Sequence, residues 1–549
     1  MNNSKQTRHT IRVNSSLFFI LLCMLYSILV ANLYLIQIRD TAFFTQLGSH
    51  QYTVAIKQAP PRASIIDRHH KPLAINNDCI SAFILPTKLT NPTALKAFLS
   101  EHFPNALTQL ATHTHKHFMY VQRKLSPEQI ACINAAAIQD IQLLRESSRF
   151  YPIACTSPII GKTDIDNNGI LGIEQSCNTL LAGTPHTSSL QKDARSGYFY
   201  FNKETTLAGQ AGSPIQLTID STLQFLVNEE LKKTVTEYGS QHGCALIMDP
   251  ANGEILSMVT WPHFDPNSST IASLEQTKNR VITDAYELGS VIKVFAALAA
   301  LQEGVVTADE LINCKNTKTT SLDGRTINTW KEHGVIPFAD VIAFSNNIGI
   351  AIVAKRVGES LYSHYTTLGF GKKTGIQLPG EHKGTVNHPS SWSKQSIISL
   401  SYGYEIATTL LQIGCAFCSI ARDGVLITPK IIVDNKQVVV GPKLYSDASI
   451  ATIKQILERT TQEGTAKHAY IKGYRIMSKT GTANQLVNGE YNEHKNIYTC
   501  AGIIEKGSYQ RVLVTFIKES NRKKVYASTV VAPLFEKISQ KMLIHDRII

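Results

Sequence analysis

The hydrophobic pattern changes character twice along the chain. From Val13 to Ile38 no side chain is charged, and Leu17 to Ile36 is mostly Leu, Ile, Phe, Val and Tyr. As a helix, a run of this length extends roughly 30 Å, the thickness of a bilayer's hydrocarbon core. Lys5, Arg8 and Arg12 precede it. The positive-inside rule therefore predicts a cytoplasmic tail over 1–12, a single transmembrane anchor over 13–38 and an extracytoplasmic remainder. A cleaved signal peptide would have a shorter apolar core and an Ala-x-Ala-like site, so the anchor is expected to stay.

From Arg39 to about Asn202 the pattern is irregular and broken by Pro and Gly, and from Gly212 onward it becomes regular. Ile215 to Ile219 reads as a short strand and Thr222 to Val235 as an amphipathic helix. Cys244 to Met248 and Glu254 to Trp261 are apolar runs joined by Asp249-Pro-Ala-Asn-Gly253, a hairpin signal. Near the end, Tyr474 to Ser478, Ile497 to Ile504 and Arg511 to Lys518 are three strand-like runs whose short connections favour an antiparallel sheet. Helical stretches lie between the two sheet-forming regions, which makes the second half α+β. We expect two folded parts, 39–205 and 212–549.

Composition adds limits. A chain of 549 residues is long for one domain, and 43% hydrophobic with 17% charged residues is globular rather than disordered. The formal charge of +12 would suit an anionic partner, but the basic residues are scattered. The densest cluster, Lys518 to Lys524 with Arg522 and Lys523, reads as a solvated turn, and nucleic acid is not an expected partner. Ten cysteines are many for an exported protein; an oxidising compartment permits disulfides, whose pairing the sequence does not give. The close pair Cys415 and Cys418 sits in an apolar helix-like run, Thr409 to Ala421, which suits core residues better than a redox or zinc motif.

The candidate chemistry begins at Ser290-Val-Ile-Lys-Val-Phe-Ala-Ala-Leu-Ala-Ala-Leu301, apolar except at Ser290 and Lys293 and closed by Gln302-Glu-Gly304. A helix apolar all round is normally buried, and residues three apart share a face. A buried lysine is pushed toward its neutral form, which can take a proton from a serine hydroxyl. Alone, Ser-x-x-Lys is equally well a helix cap and a snorkelling lysine. Ser345-Asn-Asn347 opens a second helix-like run to Lys355; by itself it reads as a cap. Lys479-Thr480-Gly481-Thr482 stands at the end of the Tyr474 strand, where Gly481 permits close backbone approach and Lys479 offers a cation for a carboxylate. Ser-x-x-Lys, Ser-x-Asn and Lys-Thr-Gly in this order form the signature of penicillin-binding proteins and serine β-lactamases.

The resemblance extends further. Tyr286-Glu-Leu-Gly-Ser-Val-Ile-Lys293, Leu368-Gly-Phe-Gly-Lys-Lys-Thr-Gly375, Tyr402-Gly-Tyr-Glu405 and Ser478-Lys-Thr-Gly-Thr-Ala483 resemble stretches of the class B penicillin-binding proteins. In the first half, Arg62-Ala-Ser-Ile-Ile-Asp-Arg68, Arg149-Phe-Tyr-Pro152, Gly169 to Glu174 and Leu181-Ala-Gly183 resemble that family's pedestal motifs. The compact stretch from Tyr151 to Glu174 is closer to the division-specific FtsI type than to the elongation type. The family usually has Gly at position 63, Pro at 288 and Gly at 478, where this chain has Ala63, Leu288 and Ser478.

The resemblance implies a penicilloyl-serine transferase domain over 212–549, an antiparallel sheet flanked by helices. An elongated pedestal over 39–205 and one N-terminal transmembrane helix would precede it. It implies a D,D-transpeptidase without metal or organic cofactor. Ser290 would attack the carbonyl between two terminal D-alanines, Lys293 would accept the proton, and Ser345 would relay it with help from Lys479. Asn347 would hold the donor backbone; Thr480, Gly481 and Thr482 would line the substrate's place, with the amides of Ser290 and Thr482 as oxyanion hole. Its partners would be peptidoglycan stem peptides, β-lactams, the inner membrane and other division or wall-synthesis membrane proteins. Three other readings remain open: an elongation-type transpeptidase, a β-lactam-binding scaffold or sensor with little turnover, and a hydrolase. The last lacks a Glu-x-x-x-Asn between Asn347 and Lys479.

Overall fold

A strand whose successive side chains are all apolar needs cover on both faces, and the main sheet meets that need. The computed structural model describes residues 3–58, 60–192, 199–268, 270, 273–434, 440–487, 489–522 and 525–548. In it, five strands form one antiparallel sheet in the order Ile255–Trp261, His242–Met248, Tyr509–Lys518, Glu490–Lys506, Arg475–Val487. All of His242–Met248 is buried. Cys244, Leu246 and Met248 enter one core with the helices Lys293–Gln302 and Leu410–Ala421; Ala245 and Ile247 enter another with Ser221–Glu237 and Ala527–His545. Each large apolar side chain buried this way contributes about 1.5–3 kcal/mol.

The described chain divides into two compact units, Met1–Pro60 with Gly183–Gly212 and Pro61–Ala182 with Ser213–Ile549. Residues of the 39–205 stretch fall in both. The first unit holds the helix Asn3–Tyr34, continued by a π turn to Arg39, the helix Thr41–Tyr52, and a three-stranded antiparallel sheet of Thr53–Gln58, His186–Lys192 and Phe199–Leu207. Val13–Arg39 is long and apolar enough to cross a membrane, and nearly all of its large apolar side chains are exposed.

In the second unit, Pro72–Ile84 pairs with Met119–Gln122, Gln142–Phe150 and Ile65–Ile66, and Ile215–Gln216 adds in parallel to Ile65–Ile66. Three of the expected pedestal motifs meet in a buried ion cluster. Glu174 receives Arg62 Nε on Oε2 and Arg149 Nε on Oε1, both at 2.6 Å, and all three side chains are at most 3% exposed. Asn178 Oδ1 accepts from Arg62 at 2.8 Å and Asn76 Oδ1 from Arg149 at 3.1 Å. Asp67, of the first motif, accepts from the Ser221 hydroxyl at 2.6 Å.

Three expected elements differ in extent. The last motif strand does not stop near Ser478 but runs from Arg475 to Val487, because Glu490–Lys506 keeps pairing with it past Gly481. The strand expected over Ile215 to Ile219 covers only Ile215–Gln216. The helix expected from Ser290 opens as a 3-10 turn, Gly289–Val291, before the α-helix Lys293–Gln302. All ten cysteines are free, and Cys415 and Cys418 are core residues. Lys523 and Lys524 of the basic cluster lie outside the described residues, as do residues 1 and 2 of the expected tail.

Candidate active site

The first and third motifs touch through their backbones. A Cβ on Gly481 would stand 2.4 Å from the Leu288 carbonyl oxygen and 3.1 Å from Val291 N, so only glycine lets the 288–291 turn lie on the strand. On the turn's other side, a Cβ on Gly403 would meet the Gly289 carbonyl at 2.1 Å. The Ser290 turn is thereby clamped between the Lys479–Thr482 strand and the Tyr402–Glu405 loop. Ser290 itself is half-buried.

The second motif joins the other two through side chains. Asn346, not Ser345, caps the helix Asn347–Val357, accepting from Gly349 N. This leaves Ser345 free of the cap, in a left-handed conformation with φ 57°, the kind of strained backbone that gathers at functional sites. Lys293 Nζ lies 2.7 Å from the Ser345 carbonyl oxygen, 3.1 Å from its Oγ and 2.5 Å from Asn347 Oδ1. Lys479 Nζ lies 3.1 Å from the same Ser345 Oγ and 2.9 Å from the Thr480 carbonyl oxygen. One hydroxyl therefore sits between two lysines. In this arrangement Lys293 directs its hydrogen bonds to positions 345 and 347 rather than to Ser290.

Electrostatics sharpen the picture. Both amines are fully buried, and among the described residues neither forms a salt bridge. Burial, reinforced by the nearby Lys479, holds Lys293 well below the ordinary lysine value. Burial likewise lowers Lys479, to about 7, against a small opposing effect of Cys500. The remaining motif side chains are engaged as well. Asn347 Nδ2 donates to the Asn328 carbonyl at 2.5 Å. Thr480 Oγ1 donates to Thr465 Oγ1 at 3.1 Å, and Thr482 Oγ1 accepts from Ala527 N at 3.1 Å.

Residues 243–540 match the penicillin-binding protein transpeptidase domain, and residues 57–217 match the penicillin-binding protein dimerisation domain. The first match contains every motif residue just described. The chain belongs to the penicillin-binding protein family. Its pairing of the two domains is that of the class B, FtsI type. Among its relatives, the peptidoglycan D,D-transpeptidase FtsI of Buchnera aphidicola subsp. Baizongia pistaciae is 32% identical over 507 residues, 88% of this chain and 86% of that one. FtsI of Escherichia coli K12 is 30% identical over 490 residues, 87% and 82% of the two chains. The crystal structure of penicillin-binding protein 3 from Mycobacterium tuberculosis in complex with aztreonam is similar with a TM-score of 0.70 and 25% identity, covering 90% of this chain and 97% of that one.

This member's departures from the usual family residues are accommodated locally. Leu288 holds φ −83°, near the angle a proline ring would impose, and is fully buried. The Ser478 side chain lies over Gly502 on the neighbouring strand, and its hydroxyl bonds Thr461 Oγ1 at 2.9 Å. Thr465 has no counterpart among the sequence expectations. Its Oγ1 lies 3.5 Å from Lys479 Nζ and accepts from Thr480, yet a threonine in a loop carries no spacing signal that would single it out.

Proposed function

We propose that this chain is a membrane-anchored, FtsI-type peptidoglycan D,D-transpeptidase acting in septal wall synthesis, and that β-lactams acylate it at Ser290. The helix Val13–Arg39 anchors it in the inner membrane, with the tail in the cytoplasm and the catalytic part in the periplasm. In this reading residues 39–205 serve as the pedestal and residues 212–549 as the catalytic domain. Other division or wall-synthesis membrane proteins contact the helix or the pedestal.

The observation that carries the reading is the Ser345 hydroxyl held between two buried lysines, beside a turn that presents Ser290. A neutral Lys293 has two hydrogens, which suit the Ser345 carbonyl and Asn347 Oδ1, and a lone pair. Ser290 Oγ attacks the carbonyl carbon between the terminal D-alanines as its proton passes to that lone pair. The tetrahedral oxygen is held by the amides of Ser290 and Thr482, on the order of 3 kcal/mol per donor. The proton then travels through Ser345, which Lys479 polarises, to the leaving D-alanine nitrogen, and the C–N bond breaks. An acceptor amine attacks the resulting ester, gives up its proton along the reverse path, and leaves a new amide and a free Ser290. Asn347 donates its second amide hydrogen to the donor backbone. Lys479 with the Thr480 and Thr482 hydroxyls faces the terminal carboxylate, with Gly481 admitting the Ser290 turn against the strand.

The test uses the full-length protein in detergent, a stem peptide ending in D-Ala-D-Ala as donor, and an amine acceptor. The expected result is D-alanine release with a matching amount of cross-linked amide, both lost in Ser290→Ala. Amide formation by Ser290→Ala would overturn the assignment. β-Lactam binding without amide formation would make the protein a sensor, and rapid nitrocefin turnover would make it a hydrolase.

A further inference from the structure

Ser345 and Asn347 both bond Lys293, and the residue between them, Asn346, is fully buried. Its Oδ1 accepts from Gly349 N at 2.9 Å, and its Nδ2 lies 3.1 Å from His333 Nδ1. These two contacts fix the state of the histidine. A backbone N–H only donates, so the amide oxygen of Asn346 faces Gly349 and the NH2 group faces His333. That NH2 group also only donates, so Nδ1 of His333 is the accepting nitrogen and the ring hydrogen sits on Nε2. A hydrogen on Nδ1 would set two donors against each other. Turning the amide over to relieve them would strip the helix cap and leave the buried Gly349 N–H without a partner.

The half-buried ring is held for this contact. It stacks on Phe344 with centroids 5.6 Å apart and planes at 21°, and the His333 carbonyl accepts from Asn316 N at 2.9 Å. The charged groups acting on the ring are Lys331 on its own segment and Asp340 on the helix Phe338–Ala343, itself paired with Arg459 at 2.9 Å. Burial, and after it the Lys331 charge, lower His333 below the ordinary histidine value, against a bond to the Lys331 backbone and the Asp340 carboxylate. We propose that His333 is a positioning residue for the acylation step. Its Nδ1 fixes the Asn346 amide, the amide fixes the start of the helix Asn347–Val357, and the residues on either side then hold the Lys293 amine beside the Ser345 hydroxyl. This rests on the transpeptidase reading.

The experiment compares full-length wild type with His333→Asn, His333→Gln and His333→Phe. It separates reversible binding of benzylpenicillin from the acylation step and records the melting temperature of each protein. An asparagine can place its amide oxygen where Nδ1 stands. A glutamine reaches instead toward the place of Nε2, and a phenylalanine keeps the stacked ring without an acceptor. His333→Gln and His333→Phe should slow the acylation step about 10- to 100-fold, the scale of a misplaced reacting group, with reversible binding little changed. His333→Asn should stay within about threefold of wild type, because it restores the acceptor. The Asn and Gln variants alone carry the comparison where the Phe variant does not fold. Equal slowing in all variants, or slowing in none, would mean that the accepting atom at Nδ1 is immaterial. A lower melting temperature with the acylation step unchanged would make His333 merely structural. Each of these outcomes overturns the proposal. Failure of wild type to be acylated would instead strike the transpeptidase reading.

Discussion

Two buried clusters of cations in the same unit make opposite use of low dielectric. In the first, Arg62 and Arg149 share the Glu174 carboxylate, and each guanidinium also bonds an asparagine. In the second, Lys293 and Lys479 share the neutral hydroxyl of Ser345. Burial of a complemented pair fixes geometry, and breaking it leaves stranded charge. Burial of uncomplemented amines drives protons off instead, and that turns lysine into a base. In the proposed function the first cluster is architecture, and the second is chemistry held at a cost in stability.

The sharpest way to break this contrast is to exchange the outcomes. Lys293→Met keeps the volume and removes a buried amine, so acylation should fall about 10²- to 10⁴-fold while the melting temperature stays level or rises. Rate loss accompanied by marked destabilisation would place Lys293 with the architectural cluster. Glu174→Gln should do the reverse. Leaving two guanidiniums buried with a neutral partner should cost about 3–5 kcal/mol in denaturant unfolding, with acylation per folded molecule unchanged.

Much of this contrast was legible beforehand. An apolar helix interrupted only by Ser290 and Lys293 announces a buried amine, and Arg62, Arg149 and Glu174 stand in the pedestal motifs. What a linear reading lacks is contact across distance. Nothing near Gly403 says that its backbone will press on Gly289, and nothing in His242 to Met248 says that its neighbour will be Tyr509 to Lys518. The motif strand's length escapes a linear reading for the same reason, since Gly481 looks like a strand end until its partner strand is seen to continue beside it.

Two smaller effects refine the comparison. In the proposed mechanism Lys479 must be charged to face a carboxylate, and burial lowers it to about 7. Acylation by a carboxylate-bearing β-lactam should therefore fall as pH rises beyond that value, by about tenfold per pH unit at the limit. It should also fall at low pH, once Lys293 takes up a proton. In Lys479→Arg, whose guanidinium keeps its charge, the alkaline fall should vanish from the pH–rate profile even if the absolute rate is low. Ser478→Ala removes the bond to Thr461 and should cost only about 1 kcal/mol in thermal unfolding, with little change in acylation.

The most direct test of the central claim is mass spectrometry of the full-length protein after reaction with benzylpenicillin, followed by peptide mapping. A single penicilloyl group on the peptide bearing Ser290, absent from Ser290→Ala, is the predicted result. An adduct on any other residue, or none at all, would contradict it.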